Sequence, residues 1–360
     1  MKLPRPRKII AEKYVAGLSL FKSRRSPIKL SANESALGPS PKAVKSYNSI
    51  GKGFVRYPDS DGTFFRKILS KKFNLKKERI ILGSGSDQIF ELVCKLFLNK
   101  GDEVVVSKYS FIIYRIYSRM CGAKVRYAKE ENFIPSVKSI LDCVNRKTKI
   151  VFLANPNNPT GTYLNKYEIL KLRKKLRSDI LLVLDDAYCE YINDPDYASG
   201  IKLFSKSQNV LVTRTFSKIY GLAGLRIGWG YGPKAIIKKL YEIKPPFNVS
   251  RPALFAATQA VLDTKWLNKA IKHNDFWAKK IFEVIDEIGI ATNKTNVNFF
   301  LLNFDFVNKS ASQIFNKLAN SGILVRQMEV YSIKNSLRVT IGNSRENKKF
   351  ISVLRKIFNV

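Results

Sequence analysis

The sequence predicts an α/β fold: a large domain with a mostly parallel sheet flanked by helices, followed by a smaller C-terminal α+β domain. Three observations predict it. Six short runs rich in β-branched and aliphatic residues recur between residues 79 and 213. Most of the intervals between them can hold a helix. After about residue 250, strand and helix patterns alternate again on a smaller scale. At 360 residues and 45% hydrophobic, the chain is long enough to bury a large core and a second, smaller one.

Residues 1–45 read as an N-terminal arm, rich in Pro, Arg and Lys and ending in SANESALGPSP, where Pro39 and Pro41 punctuate the start of a helix. The large domain is expected over 46–250. Its strands are RIILG (79–83), EVVVS (103–107), AKVRYA (123–128), KIVFLA (149–154), ILLVLD (180–185) and NVLVT (209–213). After WGYGP (229–233) a helix runs through Tyr241, and the prolines of IKPPFNVSRP (243–252) break the pattern. The small domain, 251–360, takes a long helical segment over 252–289. NFFLLNF (298–304), SASQIFNKLANSG (310–322), LRVTIG (337–342) and a last amphipathic helix follow, with part of the arm joining them.

The charge is +36, from 64 basic and 28 acidic residues. Lysines run from end to end, as in KKFNLKKER (71–79) and KLRKKLR (171–177), with no basic tail and no zinc-finger or RNP pattern. That distribution reads as a solvated surface and not as a nucleic-acid site, although acidic or phosphorylated small substrates gain from the field. Cys94, Cys121, Cys143 and Cys189 are scattered, with no CxxC spacing and no histidine beside them, so they read as reduced core residues and no metal site is expected. The one histidine, His273, reads as a helix-surface residue. No 18-residue apolar run is present, and MKLPRPRKIIAEKYV has neither an apolar h-region nor a cleavage site. A cytoplasmic protein with no membrane partner is expected.

In an open parallel sheet ligands sit beyond the carboxyl ends of the strands. Four stretches fall there. GSGSDQ (83–88) opens a helix, whose first amides suit a phosphate; alone it also fits an ordinary Ser-capped helix. ANPNNPTG (154–161) is a stiff turn that aims Asn157 or Asn158 above the sheet. LVLDDAY (182–188) ends in carboxylates where desolvation is costly unless a cation or proton donor meets them. Asp185 suits that role, and Asp186 suits an N-cap. Lys218 follows NVLVT closely enough to reach the same edge, with Thr215 and Ser217 before it and Arg226 after it. A lysine that is partly desolvated beside another cation becomes a nucleophile able to form an imine with an aldehyde. A phosphate cradle, a buried carboxylate and such a lysine meet the needs of pyridoxal phosphate.

With these residues in place, the chain resembles the fold-type I pyridoxal-phosphate aminotransferases, and within them the histidinol-phosphate aminotransferase branch. SANESALGPSP, RYPD (56–59), GSGSD, NPNNPTG, DDAY, TFSKIYGLAGLRIG (215–228) and LRVTIG occur in the family's order. The resemblance implies pyridoxal 5′-phosphate as cofactor, with Lys218 as the Schiff-base lysine and later the proton shuttle. It implies that Asp185 pairs with the pyridinium N–H, that Tyr188 and Asn158 bond the ring's phenolic oxygen, and that Phe111 stacks on the ring. Backbone amides of Ser86 and Asp87, with Ser217 and Arg226 and with Thr215 beside them, are the implied phosphate site. Tyr57 of RYPD is implied to reach the neighbouring subunit's cofactor, so a homodimer with shared sites is expected. Arg338 matches the arginine that clamps the α-carboxylate, Arg326 and Tyr14 match residues that receive the substrate phosphate, and Asn33 is implied to line the pocket. Three positions depart from the family pattern: Phe111 for tyrosine, Asp186 for the glutamate of DEAY, and Lys13 for proline before Tyr14.

The implied reaction is a ping-pong transamination between histidinol phosphate or imidazole acetol phosphate and glutamate or 2-oxoglutarate, in histidine biosynthesis. An aromatic amino acid aminotransferase and a threonine-phosphate decarboxylase share the fold and most of the set. A basic nucleic-acid-binding protein is the alternative from another class; it would bind with steep salt dependence and no yellow colour.

Overall fold

The computed structural model describes residues 9, 12–15, 17, 27–295 and 297–360. Its large sheet has seven strands: β1 (Ile80–Gly83), β2 (Glu103–Ser107), β3 (Lys124–Ala128), β4 (Thr148–Ala154), β5 (Leu181–Asp185), β6 (Val210–Thr215) and β7 (Gly228–Tyr231). Their order across the sheet is β1-β7-β6-β5-β4-β2-β3. The pairs β2 to β3, β2 to β4, β4 to β5 and β5 to β6 are parallel, and β7 lies antiparallel between β1 and β6. The central strands are unbroken apolar runs because both faces are covered. Val151 and Leu153 face one apolar cluster while Ile150 and Phe152 face the other, as the two-residue strand period requires.

The first helices are α1 (Pro41–Asn48), α2 (Thr63–Phe73), α3 (Ser86–Phe97), α4 (Ile112–Met120), α5 (Val137–Asp142) and α6 (Lys166–Lys175). They are followed by α7 (Gly200–Phe204), α8 (Lys234–Ile243), α9 (Arg251–Leu262) and α10 (Thr264–Ile288). A four-stranded sheet of β8 (Ala291–Thr292), β9 (Phe299–Asn303), β10 (Arg326–Gln327) and β11 (Ser336–Thr340), with α11 (Ala311–Asn320) and α12 (Ser344–Phe358), forms a second unit. The arm contributes to it: Ile28–Lys29 pairs in parallel with Ile323–Leu324. No helix among the described residues is long and apolar enough to cross a membrane.

Two elements differ from the sequence reading. GWGY is a strand, which was not among the runs expected from the sequence. Its register sets Gly228 opposite both Gly83 and Thr215, and a Cβ at Gly228 would lie 2.5 Å from the Ser86 nitrogen, so only glycine lets the three segments meet. The segment 252–289 is two helices, because Asp263 ends α9 and its side chain accepts from the Trp266 amide to start α10. Packing bears on the domain change expected near 250. Ala253, Ala256, Ala257, Ala260 and Ala270 belong to the apolar cluster of Phe216 and Trp229, whereas Trp277, Ile281 and Ile285 belong to that of the small sheet. We propose that the boundary between the two units runs through α10.

Candidate active site

The carboxyl ends of β1, β4, β5 and β6 open on one edge of the sheet, and β7, running the other way, begins at that edge with Arg226 just before it. A cavity of about 560 Å³ lies there, walled by the large unit, the arm and the small unit. Fourteen of the fifteen residues singled out in the sequence line it: Tyr14, Asn33, Ser86, Asp87, Phe111, Asn158, Asp185, Tyr188, Thr215, Ser217, Lys218, Arg226, Arg326 and Arg338. The exception is Tyr57, which is 80% exposed on another face and stacks on Phe247 at 4.5 Å.

At one end Arg226 donates from Nη2 to Asp87 at 2.8 Å and from Nη1 to the Ser217 hydroxyl at 3.2 Å. Arg226 holds φ +51, a left-handed conformation that costs a non-glycine residue about 1–3 kcal/mol. The first amides of α3 face the same place, since helix N-termini leave their N–H groups without intrahelical partners. A Cβ at Gly85 would fall 2.2 Å from Arg226 Nη2, so backbone alone fits there.

In the middle, Asp185 is fully enclosed. Its carboxylate accepts from the Tyr114 hydroxyl at 2.6 Å and from the Thr213 hydroxyl at 3.2 Å. Burial pushes its pKa up to about 6 against the opposing effect of these donors and of Lys218. The Lys218 amine is pushed down to about 8 by burial and by the charge of Arg338, and it donates to the Ala32 carbonyl at 3.3 Å. Tyr188 is raised to about 12 by burial and stays protonated; its oxygen accepts from Asn33 Nδ2 at 3.0 Å. Asp186, by contrast, lies outside the cavity and accepts from the Gly200 amide at 2.8 Å, at the start of α7.

At the other end, Arg338 is buried, and burial lowers its pKa. It donates to Asn158 Oδ1 and, at 3.0 Å, to the Ser31 carbonyl, while its buried Nε has no partner among the described residues. Arg326 donates to the Val15 carbonyl at 2.5 Å.

Sequence reading missed Tyr114 and Tyr331, both buried at the site. Tyr114 carried a signal, because helical spacing sets it three residues beyond Phe111, on a face turned toward the strand ends. Tyr331 carried none, since it sits in the irregular turn Glu329–Tyr331.

A family model for aminotransferase classes I and II matches residues 25–354. The chain belongs to this family. Class I and II aminotransferases use pyridoxal 5′-phosphate, and the chain is a pyridoxal-phosphate-dependent aminotransferase. Across its full length and theirs, it is 51% identical over 360 residues to a histidinol-phosphate aminotransferase of Pelagibacter ubique. It is 40% identical to one from Maricaulis maris over 95% of this chain and 94% of that one. Among solved structures, the histidinol-phosphate aminotransferase of Sinorhizobium meliloti in complex with pyridoxal-5′-phosphate superposes with a TM-score of 0.84 at 24% identity. The match covers 92% of this chain and 91% of that one. The Thermus thermophilus aspartate aminotransferase bound to maleate gives a TM-score of 0.79 at 19% identity over 91% of each chain. The fold is therefore that of the fold-type I aminotransferases.

The donor set fits the family's cofactor. A cationic cradle with backbone walls suits a phosphate, an enclosed carboxylate suits a protonated ring nitrogen, and a desolvated amine suits an aldehyde.

Proposed function

We propose that this aminotransferase exchanges amino groups between glutamate and imidazole acetol phosphate, forming histidinol phosphate and 2-oxoglutarate in histidine biosynthesis by a ping-pong course. The observation that carries this reading is the likeness to histidinol-phosphate aminotransferases over the whole of both chains, with 51% identity at its highest among those named. Arg326 and Arg338 support it, because the site must take a dicarboxylate and a phosphate ester in turn.

Pyridoxal phosphate, when bound, supplies an aldehyde for the substrate's amino group and a ring that draws off the electron pair freed at Cα. The chain's residues do the rest. Lys218 anchors the cofactor and, once free, its neutral amine takes the proton from Cα and holds it for return. Asp185, ionised above about pH 6, keeps a proton on the ring nitrogen. Asn158 spends Oδ1 on Arg338, which leaves Nδ2 for the ring's phenolic oxygen. Tyr188 accepts from Asn33 and so keeps its own O–H to donate. Phe111 would lie against the ring, and Arg226, Ser217, Thr215 and the amides of Ser86 and Asp87 would hold the phosphate. Arg338 clamps the α-carboxylate through its unpaired Nε and its fork geometry. Arg326 and Tyr14 receive the distal anion. The +36 charge steers such anions inward.

We further propose that Tyr57 serves the site of a second copy. It stands on an exposed apolar surface with Phe54, Val55 and Phe64, each at least 66% exposed, which is more than a monomer's scattered surface residues explain. A homodimer would cover that surface and bring Tyr57 to the partner's phosphate.

The test is a comparison of amino donors. Removing the phosphate, histidinol in place of histidinol phosphate, is expected to lower kcat/KM by about two orders of magnitude or more. Phenylalanine turning over as well as histidinol phosphate would move the assignment to aromatic amino acids. Release of carbon dioxide from threonine phosphate would move it to a decarboxylase.

A further inference from the structure

At Glu12 the arm meets the large unit through a carboxylate shared by two arginines. Glu12 pairs with Arg115 at 2.8 Å and also with Arg119, one turn further along α4. Arg115 Nη2 donates in addition to the Val330 carbonyl at 3.0 Å. It therefore ties together two segments that are far apart in sequence. One carries Tyr14, two residues beyond Glu12; the other carries Tyr331, the residue after Val330. Both tyrosines line the cavity beside Arg326 and Arg338. The same helix follows its N-cap residue Phe111 and carries Tyr114, so a single rigid element supports the cofactor side and the substrate side of the site.

Two features separate this contact from an ordinary surface ion pair, which is worth little. The three side chains are only 17%, 29% and 40% exposed, and one carboxylate neutralises two guanidiniums. Without Glu12, the two cations face each other across one helical turn, where like charges repel.

We propose that Glu12, Arg115 and Arg119 form a clasp of positioning residues, which touch neither substrate nor cofactor but fix Tyr14 and Tyr331 and so set the affinity for the substrate's distal anion. This rests on the proposed role of Tyr14 as a ligand of that anion. It assigns Arg115 and Arg119 to function in a protein whose basic residues are otherwise mostly a solvated surface.

The experiment uses the cofactor-loaded enzyme, Glu12→Gln, and Arg119→Lys as a conservative control. Two quantities are read: KM and kcat for histidinol phosphate, and the rate of tryptic cleavage after Lys13, followed by mass spectrometry. In Glu12→Gln, KM is expected to rise about tenfold with kcat within about twofold, and cleavage to accelerate by a similar factor. Arg119→Lys is expected to stay near wild type in both. A change in neither quantity, or in only one, overturns the clasp. If wild type does not act on histidinol phosphate at all, the substrate reading fails by itself. The clasp is then judged on cleavage together with KM for glutamate.

Discussion

Replacing Lys218 by alanine is expected to lower kcat by about three orders of magnitude or more, with the fold and the melting temperature of the cofactor-free protein retained. The amine sits in an enclosed site, donates to the Ala32 carbonyl at 3.3 Å and lies 5.5 Å from the centre of the Tyr188 ring, so its removal costs little packing. On the proposed role, it removes the base that takes the Cα proton, and two other titratable groups at the centre of the cavity are engaged or held protonated. Asp185 is engaged by Tyr114 and Thr213, and Tyr188 is held protonated. A small primary amine added to Lys218→Ala should restore part of the rate, which no structural role for the lysine would allow. In the wild-type apoprotein, the rate of pyridoxal phosphate capture should rise with pH and level off above about 8, where the depressed pKa leaves Lys218 neutral. A capture rate still rising toward the ordinary lysine value would show that burial and Arg338 do not act on this amine as described.

Asp185→Asn gives the second large effect, and its sign differs between activity and stability. On the proposed role, the carboxylate faces a cationic ring, and its charge counts most where water is excluded; kcat should fall by about 10²- to 10³-fold. In the cofactor-free protein the same carboxylate is a burden. Its pKa is raised to about 6, so the folded state binds the proton more tightly than the unfolded state. Stability is then lost as pH rises from the unfolded value toward about 6, and stays lost above it. The amide carries no such penalty, so cofactor-free Asp185→Asn should melt no lower than wild type at neutral pH. Equal losses of activity and stability would mean that the residue holds the fold together and does not serve the ring nitrogen.

The large sheet was legible because burial on both faces leaves a mark that needs no knowledge of tertiary structure: runs such as KIVFLA and ILLVLD have no polar alternation. The strand ends were legible for the same reason, since an aspartate or lysine directly after such a run has few structural explanations. GWGY was not legible as a strand. Its glycines disfavour that conformation locally, and only pairing between β1 and β6 makes it one. The boundary expected near 250 differs from the one proposed within α10 because alanine-rich α9 looks the same whichever core it joins. Within the site, the contacts between chain segments far apart were not legible in the sequence, although several of the residues that make them were. Asn33 meets Tyr188, Ser31 meets Arg338 and Val15 meets Arg326, and these contacts exist only because the arm returns over the sheet edge. Glu12 reads as one charge among many until α4 places two arginines beneath it.

The most direct measurement is a half-reaction followed by the visible absorbance of the bound cofactor. Purified enzyme is mixed with glutamate alone, the 2-oxoglutarate released is counted, and imidazole acetol phosphate is then added. The account predicts that glutamate shifts the absorbance and releases about one equivalent of 2-oxoglutarate per bound cofactor. Imidazole acetol phosphate should then restore the original spectrum with formation of histidinol phosphate, and Lys218→Ala should do neither at a comparable rate. A spectrum that returns with phenylpyruvate but not with imidazole acetol phosphate would contradict the substrate assignment. Absence of any change with glutamate would contradict the ping-pong transamination itself.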